Sequence, residues 1–561
     1  MTRLARRHAF AIVFAILFGI ALSGPYLAVR SANGIYPELV NDQNYYLAQI
    51  EDVRNGFLIS GNAYLAEYKN APSLQFPLGE IIMGETLNAF SLGTGAVFTI
   101  FPPLFGPILF LLIYAIACML RVPRPWALLA AVLLCYGLYF SEFMRLVSPQ
   151  FNFIFWLLAV LGLFMLPERP TWRWWVPQAI VVGLLFYIYP YYWTHIGVAY
   201  TLLFIYYSLV RDRAVAASVF LAGLGALAIG SGYIAELIQA HALPWYASSM
   251  ERVGLVYTHF PSGFALALVA AAVGAFAGIV VWKLRRLDRP VTIGFALLAA
   301  SVIAMNQHVF TGQNVEFSSH YKLQVGFSCA FLLIALAASA DWWQHLSRRL
   351  WYGIAVAAVA CVAAFSLTTT YHRTVALAAA SPVEQYAPVV AWLGAHTAPD
   401  SVVYAPDALA ALIPAYTADD VFYTRTANIF FLPQADVTDR FIIQNYYADF
   451  TTPFISENER ALFGVGYIDR YAHAVEEHAF LRLLGIHTQL PARIPDTAIA
   501  DVIARAKALQ SLPLDSLLAH YRVDYFTIAT DTVPEYRKAG VIGATPLMSA
   551  NGFAVYAKAA P

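Results

Sequence analysis

The stretch FPLGEIIMGETLNAFSL, Phe76–Leu92, decides how the rest of the chain is threaded through a bilayer. It is apolar enough to read as a membrane-crossing helix, yet it carries Glu80 and Glu85, and carboxylates are costly at the bilayer centre. If it crosses, every later loop changes sides. The test is the distribution of Lys and Arg, which collect in cytoplasmic loops. Arg121 and Arg124, Arg169 and Arg173, Arg211 and Arg213, the group Lys283, Arg285, Arg286 and Arg289, and then Arg348 and Arg349 share the side of Arg3, Arg6 and Arg7 only if the stretch does not cross. It is therefore expected as a helix lying on or partly in the outer interface.

The surrounding composition supports that membrane frame. Of 561 residues, 60% are hydrophobic and 12% charged, and the mean hydropathy is +0.60, above what a soluble globular chain shows. The opening MTRLARRHAFAIVFAILFGIALSGPYLAV sets three arginines before an apolar run long enough to cross. Ala21-Leu22-Ser23 is weakly cleavage-like, but the run is long for a signal peptide, and either reading puts the next loop outside the cytoplasm. Further apolar spans read at 99–120, 126–142, 151–166, 178–192, 195–210, 214–234, 263–282, 291–309, 323–340 and 350–370, about eleven transmembrane helices in all. The loops 30–98, 141–150, 235–262 and 310–322 then face outward and carry few bases. Net charge is zero with no basic block, which gives nucleic acid no footing. Cys118, Cys135, Cys329 and Cys361 lie in apolar runs without CxxC or Cys/His spacing, so neither a disulfide framework nor a zinc site is expected.

Beyond Tyr371 the chain changes character. EQYAPVVAWLGAHT has helical periodicity, SVVYA reads as a strand, and LDSLLAHYRVDYFTIAT reads as a helix running into a buried strand. The expected fold is thus an α-helical polytopic membrane domain over 1–375, with a large first outer loop at 30–98, and a C-terminal extracytoplasmic α/β domain over 382–561. With an inside N-terminus and an odd number of spans, that domain lies outside, and its length lets it bury its own core. No Asn-x-Ser/Thr sequon occurs, which is compatible with the inner membrane of a bacterial envelope.

Candidate chemistry gathers in the first outer loop, within NGIYPELVNDQNYYLAQIEDVRNGFLISGNAYLAEYKN, Asn33–Asn70. Asp42 heads a helical pattern with Tyr46, Leu47, Ile50 and Val53 on one face, closed by Asn55-Gly56. This reads as an amphipathic helix along the outer membrane face, with Asp42 either capping it or doing chemistry. Other outer loops present cations: Arg145, Arg252, His320 and Lys322. Each reads as an interfacial anchor or as a phosphate ligand, and His320 stands four residues after Glu316, where the two could pair. A carboxylate facing several cations at a membrane surface can hold a phosphate and accept a proton from a hydroxyl. Glu67 is either a solvated loop carboxylate or a partner for a substrate hydroxyl. In FYIYPYYWTH, Pro190 breaks a span, and Tyr191, Tyr192 and Trp193 form an aromatic belt at headgroup depth or a groove for substrate.

In order and placement over roughly the first 370 residues, the chain resembles the multi-spanning glycosyltransferases of the C superfamily, which use polyprenyl-phosphate sugar donors. The likeness rests on Asp42 with Tyr45 and Tyr46, on NAYLAEYKNAPSLQFPLGE, RLVSPQFNF, YIYPYYW, ERVGLVYTHFP and NQHVFTGQNVEFSSHYK. It implies a hexosyl- or pentosyltransferase acting on a polyprenyl-phosphate sugar lipid and a saccharide, lipid or protein acceptor. Asp42 would be the general base. Arg145, Arg252, His320 and Lys322 would bind the donor phosphate, and Tyr46, Glu67, Tyr192 and Trp193 would contact substrate. The acidic dipeptide of several branches is here Asn41-Asp42, so no metal ligand is assigned and a divalent cation is left open. The rival readings are a polysaccharide ligase or polymerase relying on Arg and His, a lipid-linked saccharide transporter or flippase, and a non-catalytic scaffold. Transporters commonly place charges within their spans, which these spans nearly lack.

Overall fold

A computed structural model describes residues 8–559 apart from 32, 74, 286, 316, 317, 341–347 and 380. Arg3, Arg6, Arg7, Arg286 and Glu316 lie outside the described residues. Each of the eleven apolar segments carries helix: Ala9–Ala28, Val97–Met119, Arg124–Val132, Asn152–Met165, Trp172–Leu184, Pro190–Leu209, Arg213–His241, Phe264–Leu284, Arg289–Met305, Lys322–Ser339 and Arg348–Ala379. Among the described residues, seven helical stretches are long and apolar enough to cross a membrane. The helix at Arg124 and the one at Trp172 are shorter than a full crossing. The first two helices of the bundle meet backbone to backbone. A Cβ on Gly19 would sit 2.8 Å from Pro107 Cδ, and one on Gly106 would sit 2.8 Å from Gly19 Cα, the small-residue contact that lets apolar helices pack by dispersion.

The stretch that governs the threading forms a helix at Leu78–Ala89. Its 12 residues span roughly 18 Å at 1.5 Å per residue, well short of the roughly 30 Å hydrocarbon core. Glu80 is buried on its inner side and Glu85 is exposed.

The C-terminal region is built on a five-stranded sheet. Its strands follow the short outer-loop ribbon of β1 (Leu255–Tyr257) and β2 (Gln313–Val315). They are β3 (Val402–Tyr404), β4 (Asp420–Val421), β5 (Tyr525–Ala529), β6 (Met548–Ala550) and β7 (Phe553–Ala557), in the order β4-β3-β5-β7-β6. β3 runs parallel to β4 and β5, and β7 is antiparallel to β5 and β6. Both faces are buried, so consecutive residues of one strand enter different cores. Val402 and Tyr404 pack with Phe441 and Ile442 of the helix Gln434–Gln444 and with Val502 and Ala506 of the helix Asp496–Gln510. Val403 packs the other way, against Val390 and Leu393 of the helix Val383–His396.

That second face is not closed by C-terminal residues alone. Ile35, Ala48, Tyr64 and Leu65 of the first outer loop share its core, and Val421 N donates to Tyr64 O at 2.8 Å. The loop helix Gln43–Arg54 is accordingly buried on nearly every side: Tyr46, Leu47 and Ile50 face the bundle core, while Ala48 faces the sheet. An amphipathic helix lying on the membrane was the expectation from its apolar spacing. The structure corrects this, because the polar side of the helix is covered by protein. Lys69 fastens the same seam, with Nζ 3.1 Å from Asp52 Oδ1, 3.1 Å from Asp420 Oδ1 and 3.5 Å from Asp400 Oδ1.

Candidate functional site

Asp42 occupies the N-cap position of the helix Gln43–Arg54 with φ 63°, and its side chain makes no capping hydrogen bond. An L-residue with positive φ is strained, though Asp tolerates it better than most. The consequence is directional. Turned away from the helix N–H groups, the carboxylate accepts a hydrogen bond from Arg145 Nη2 at 2.7 Å, an ion pair across 103 residues of sequence. Asp42 keeps 44% of its side chain exposed and Arg145 keeps 25%, so the pair is reachable rather than sealed.

Arg145 reaches it from a break in the helical path. The helix Phe140–Phe143 ends, Arg145 itself is extended at φ −71° and ψ 108°, and wide turns over Leu146–Phe151 lead into the helix Asn152–Met165. Around this pair stand other groups. Ser148 hydrogen-bonds the phenols of Tyr46 and Tyr192. Burial holds the Tyr46 phenol well above its usual range despite the nearby Arg145, so Tyr46 is a neutral hydrogen-bonding group. Burial disfavours charge on Arg145, but the groups facing it, the carboxylates of Asp42 and Glu142 among them, outweigh that and hold the guanidinium cationic. Tyr189 in turn lies 2.6 Å from His320 Nδ1, and Tyr191 stacks on the His320 ring with centroids 4.6 Å apart. Lys322 donates to Glu142 at 2.6 Å. Asp42, Tyr46, Arg145, Tyr192, His320 and Lys322 thus form one connected neighbourhood.

The remaining candidates are placed elsewhere. Arg252 is 2% exposed, and Nε, Nη1 and Nη2 donate to Asn428 O, Gln434 Oε1, Ser249 Oγ, Phe430 O and Leu432 O. Burial lowers its pKa to about 10. Its fork is used to clamp the segment 428–434 to the outer loop. Glu67 pairs with Arg440 at 3.0 Å, beside Asp436 on the same guanidinium. Trp193 stacks on Phe186, with centroids 4.5 Å apart. Tyr192 is 2% exposed, so it is an interior ring and not part of a headgroup belt.

Sequence reasoning missed Glu142, Ser148 and Tyr189, although all three flank residues it singled out. A carboxylate three residues before Arg145 was the available signal. It also used Glu80 only as an argument about threading. Glu80 is 2% exposed with Oε1 unpartnered, and burial pushes its carboxyl up to about 7. It acts electrostatically on Tyr45 and Tyr46. Among the described residues, no group of three or more His, Cys, Asp or Glu side chains is placed to hold a metal ion.

Beneath the Asp42–Arg145 pair lies a crevice of only about 10 Å³, lined by Tyr26, Asn41, Tyr46, Phe98 and Arg145 among others. That is space for one water at most.

No protein-family model matches the chain, and no curated protein matches it. Among solved structures, it is similar over 95% of its length to 69% of the oligosaccharyltransferase of Archaeoglobus fulgidus, crystallised with zinc and sulfate, at 13% identity and a TM-score of 0.48. A likeness of that size defines neither fold nor activity.

Proposed function

We propose that the chain is an integral-membrane glycosyltransferase that moves a sugar from a polyprenyl-phosphate donor to an extracytoplasmic acceptor. The observation that carries this reading is the Asp42–Arg145 pair: a strained, uncapped carboxylate aimed at a guanidinium, half-open to solvent, where the helical bundle meets the outer sheet. A carboxylate can take the proton of an attacking hydroxyl, and a guanidinium can grip phosphate oxygens in a fork. The two functions needed for glycosyl transfer are adjacent.

The donor phosphate replaces Asp42 as the partner of Arg145, with Lys322 and His320 adding positive charge and donors at the rim. Asp42 is then free to accept the acceptor O–H proton. The acceptor oxygen forms its bond to the anomeric carbon as the bond from that carbon to the phosphate oxygen breaks. The phosphate leaves with the electron pair and stays on Arg145. A lipid phosphate is already a good leaving group, so positive charge matters more to it than a proton. Tyr46 and Tyr192 form the buried floor beneath the pair. The span count of eleven, the inner-membrane location with an inside N-terminus and the outward C-terminal region belong to this same reading.

Transfer of a labelled sugar from polyprenyl-phosphate donors to extracted envelope acceptors tests it, with folding checked by size-exclusion elution in detergent. Asp42→Asn is expected to lower transfer by roughly 10²–10⁴, the range for loss of a general base. Unchanged transfer in Asp42→Asn with loss in Arg145→Gln would instead identify a ligase or polymerase that works without a carboxylate.

A further inference from the structure

The C-terminal sheet holds a second concavity, remote in sequence from Asp42. After β3 the chain crosses outward to β4 on one side, and β5 later enters on the other side of β3. Crossovers leaving in opposite directions open a crevice beyond the carboxyl ends of parallel strands, the place where open α/β sheets take ligands. A cavity of about 250 Å³ lies there, bordered by Tyr404 at the end of β3 and Pro406 after it, Tyr423 after β4, and Ala529 at the end of β5 and Thr532 after it. Its size is too large for a solitary water and slightly below that of drug-sized pockets, which suits a single ring.

The chemistry of the lining narrows the ring. Tyr404, Tyr423 and Tyr536 supply aromatic surfaces, and two of them are fixed by their own hydroxyls. Tyr404 donates to Gln444 O at 3.0 Å, and Tyr423 donates to Ala461 O at 2.7 Å. The polar groups facing the cavity are Asp407, Gln444, Asn445, Asn458 and Thr532, with no Lys or Arg among the lining residues. Asp407 is already engaged, accepting from Thr424 Oγ1 and Arg425 N and pairing with Arg425 Nε at 3.2 Å. Gln444 donates through Nε2 to Ala405 O, leaving Oε1 buried without a partner. Aromatic faces with amides and no cation suit a polyhydroxylated neutral ring and do not suit a phosphate.

We propose that this cavity binds a neutral saccharide unit of the acceptor. The assignment of that saccharide to the acceptor rests on the glycosyltransferase reading; the saccharide chemistry does not. The charges of Asp42 and of Arg425 and Asp407 at the cavity rim all act on Glu38 of the first outer loop.

The test is saturation-transfer NMR on the full chain in a detergent without a sugar headgroup. The probes are a panel of neutral di- and trisaccharides, a phosphorylated disaccharide and an unglycosylated peptide. Native protein and Asp42→Asn are expected to bind at least one neutral saccharide equally. Ala529→Phe, which fills the cavity, and Gln444→Leu, which removes an amide from its lining, should each weaken that binding by about tenfold or more. Absence of neutral saccharide binding, equal binding by native protein and both variants, or capture of the peptide or phosphorylated sugar alone overturns the proposal. Loss of transfer in Asp42→Asn with no saccharide binding leaves the glycosyltransferase reading standing and sinks this one. Saccharide binding with undiminished transfer in Asp42→Asn does the reverse.

Discussion

Replacing Lys69 by Met removes one ammonium from among three carboxylates. Asp420 and Asp52 are 1% and 8% exposed, while Asp400 is 48% exposed and contributes little. In the native chain burial raises the Asp52 pKa to about 6 and the Asp420 pKa to about 7, with Lys69 pulling both back down. Lys69 itself is held protonated, because Asp52 and Asp420 outweigh the burial that opposes its charge. A carboxyl whose folded value lies above its unfolded value keeps its proton longer when folded. Native stability therefore falls as pH rises from about 4 to about 7 and then levels off. Without Lys69 both buried carboxyls must stay neutral, so the fall becomes steeper and continues beyond neutral pH. Breaking a buried ion pair costs about 3–5 kcal/mol. Keeping both carboxyls protonated past their native values of about 6 and about 7 costs about 4 kcal/mol at about pH 8, at 1.36 kcal/mol per pH unit, in agreement. The seam between the first outer loop and β4 is what this energy holds together. Thermal melting of the full chain in detergent, with limited proteolysis of the seam, should show Lys69→Met well below native at about pH 8 and level with it at about pH 4. Parallel pH profiles for the two proteins would refute the reasoning.

Glu80→Gln should remove a penalty of up to about 3 kcal/mol that the buried carboxylate imposes above its folded value of about 7; melting of the variant should decline less than that of the native protein from about pH 5 to about pH 8, with the share of Asp52 and Asp420 remaining. Arg252→Met leaves the carbonyls of Asn428 and Phe430 without their donor, while Leu432 O keeps Ser249 Oγ, at about 1–3 kcal/mol for each buried group left unpaired. Proteolytic release of the C-terminal region should accelerate in that variant, and Arg252→Lys should rescue it only in part because an ammonium cannot reproduce the fork.

The helical bundle was legible because long apolar runs and the sidedness of Lys and Arg are properties of the chain itself. So were Val402–Tyr404 and Tyr525–Ala529, short apolar runs bounded by breakers. What covers a face is a different kind of fact. Tyr46, Leu47 and Ile50 announced a helix with an apolar side, but nothing in their spacing said that Ala48 on the other side would enter the core of a sheet more than 350 residues away. The same limit separated the cations. Arg145 and Arg252 look alike in sequence, each in an outer loop beside aromatic residues. Only the fold assigns one to a half-open carboxylate and the other to buried carbonyls. Likewise Glu67, still exposed, turned out to pair with the buried Arg440. The strained φ of Asp42 has no signature in residue type beyond the tolerance of Asp for that conformation.

The most direct measurement is the affinity of the full chain in detergent for a short-chain polyprenyl monophosphate, compared among native, Asp42→Asn and Arg145→Gln proteins. If phosphate must displace Asp42 from Arg145, Asp42→Asn binds more tightly than native by a few-fold while losing transfer. Arg145→Gln then binds about tenfold or more weakly, the loss of a charge-assisted hydrogen bond. Equal affinity in all three proteins, or weaker binding in Asp42→Asn, would contradict it.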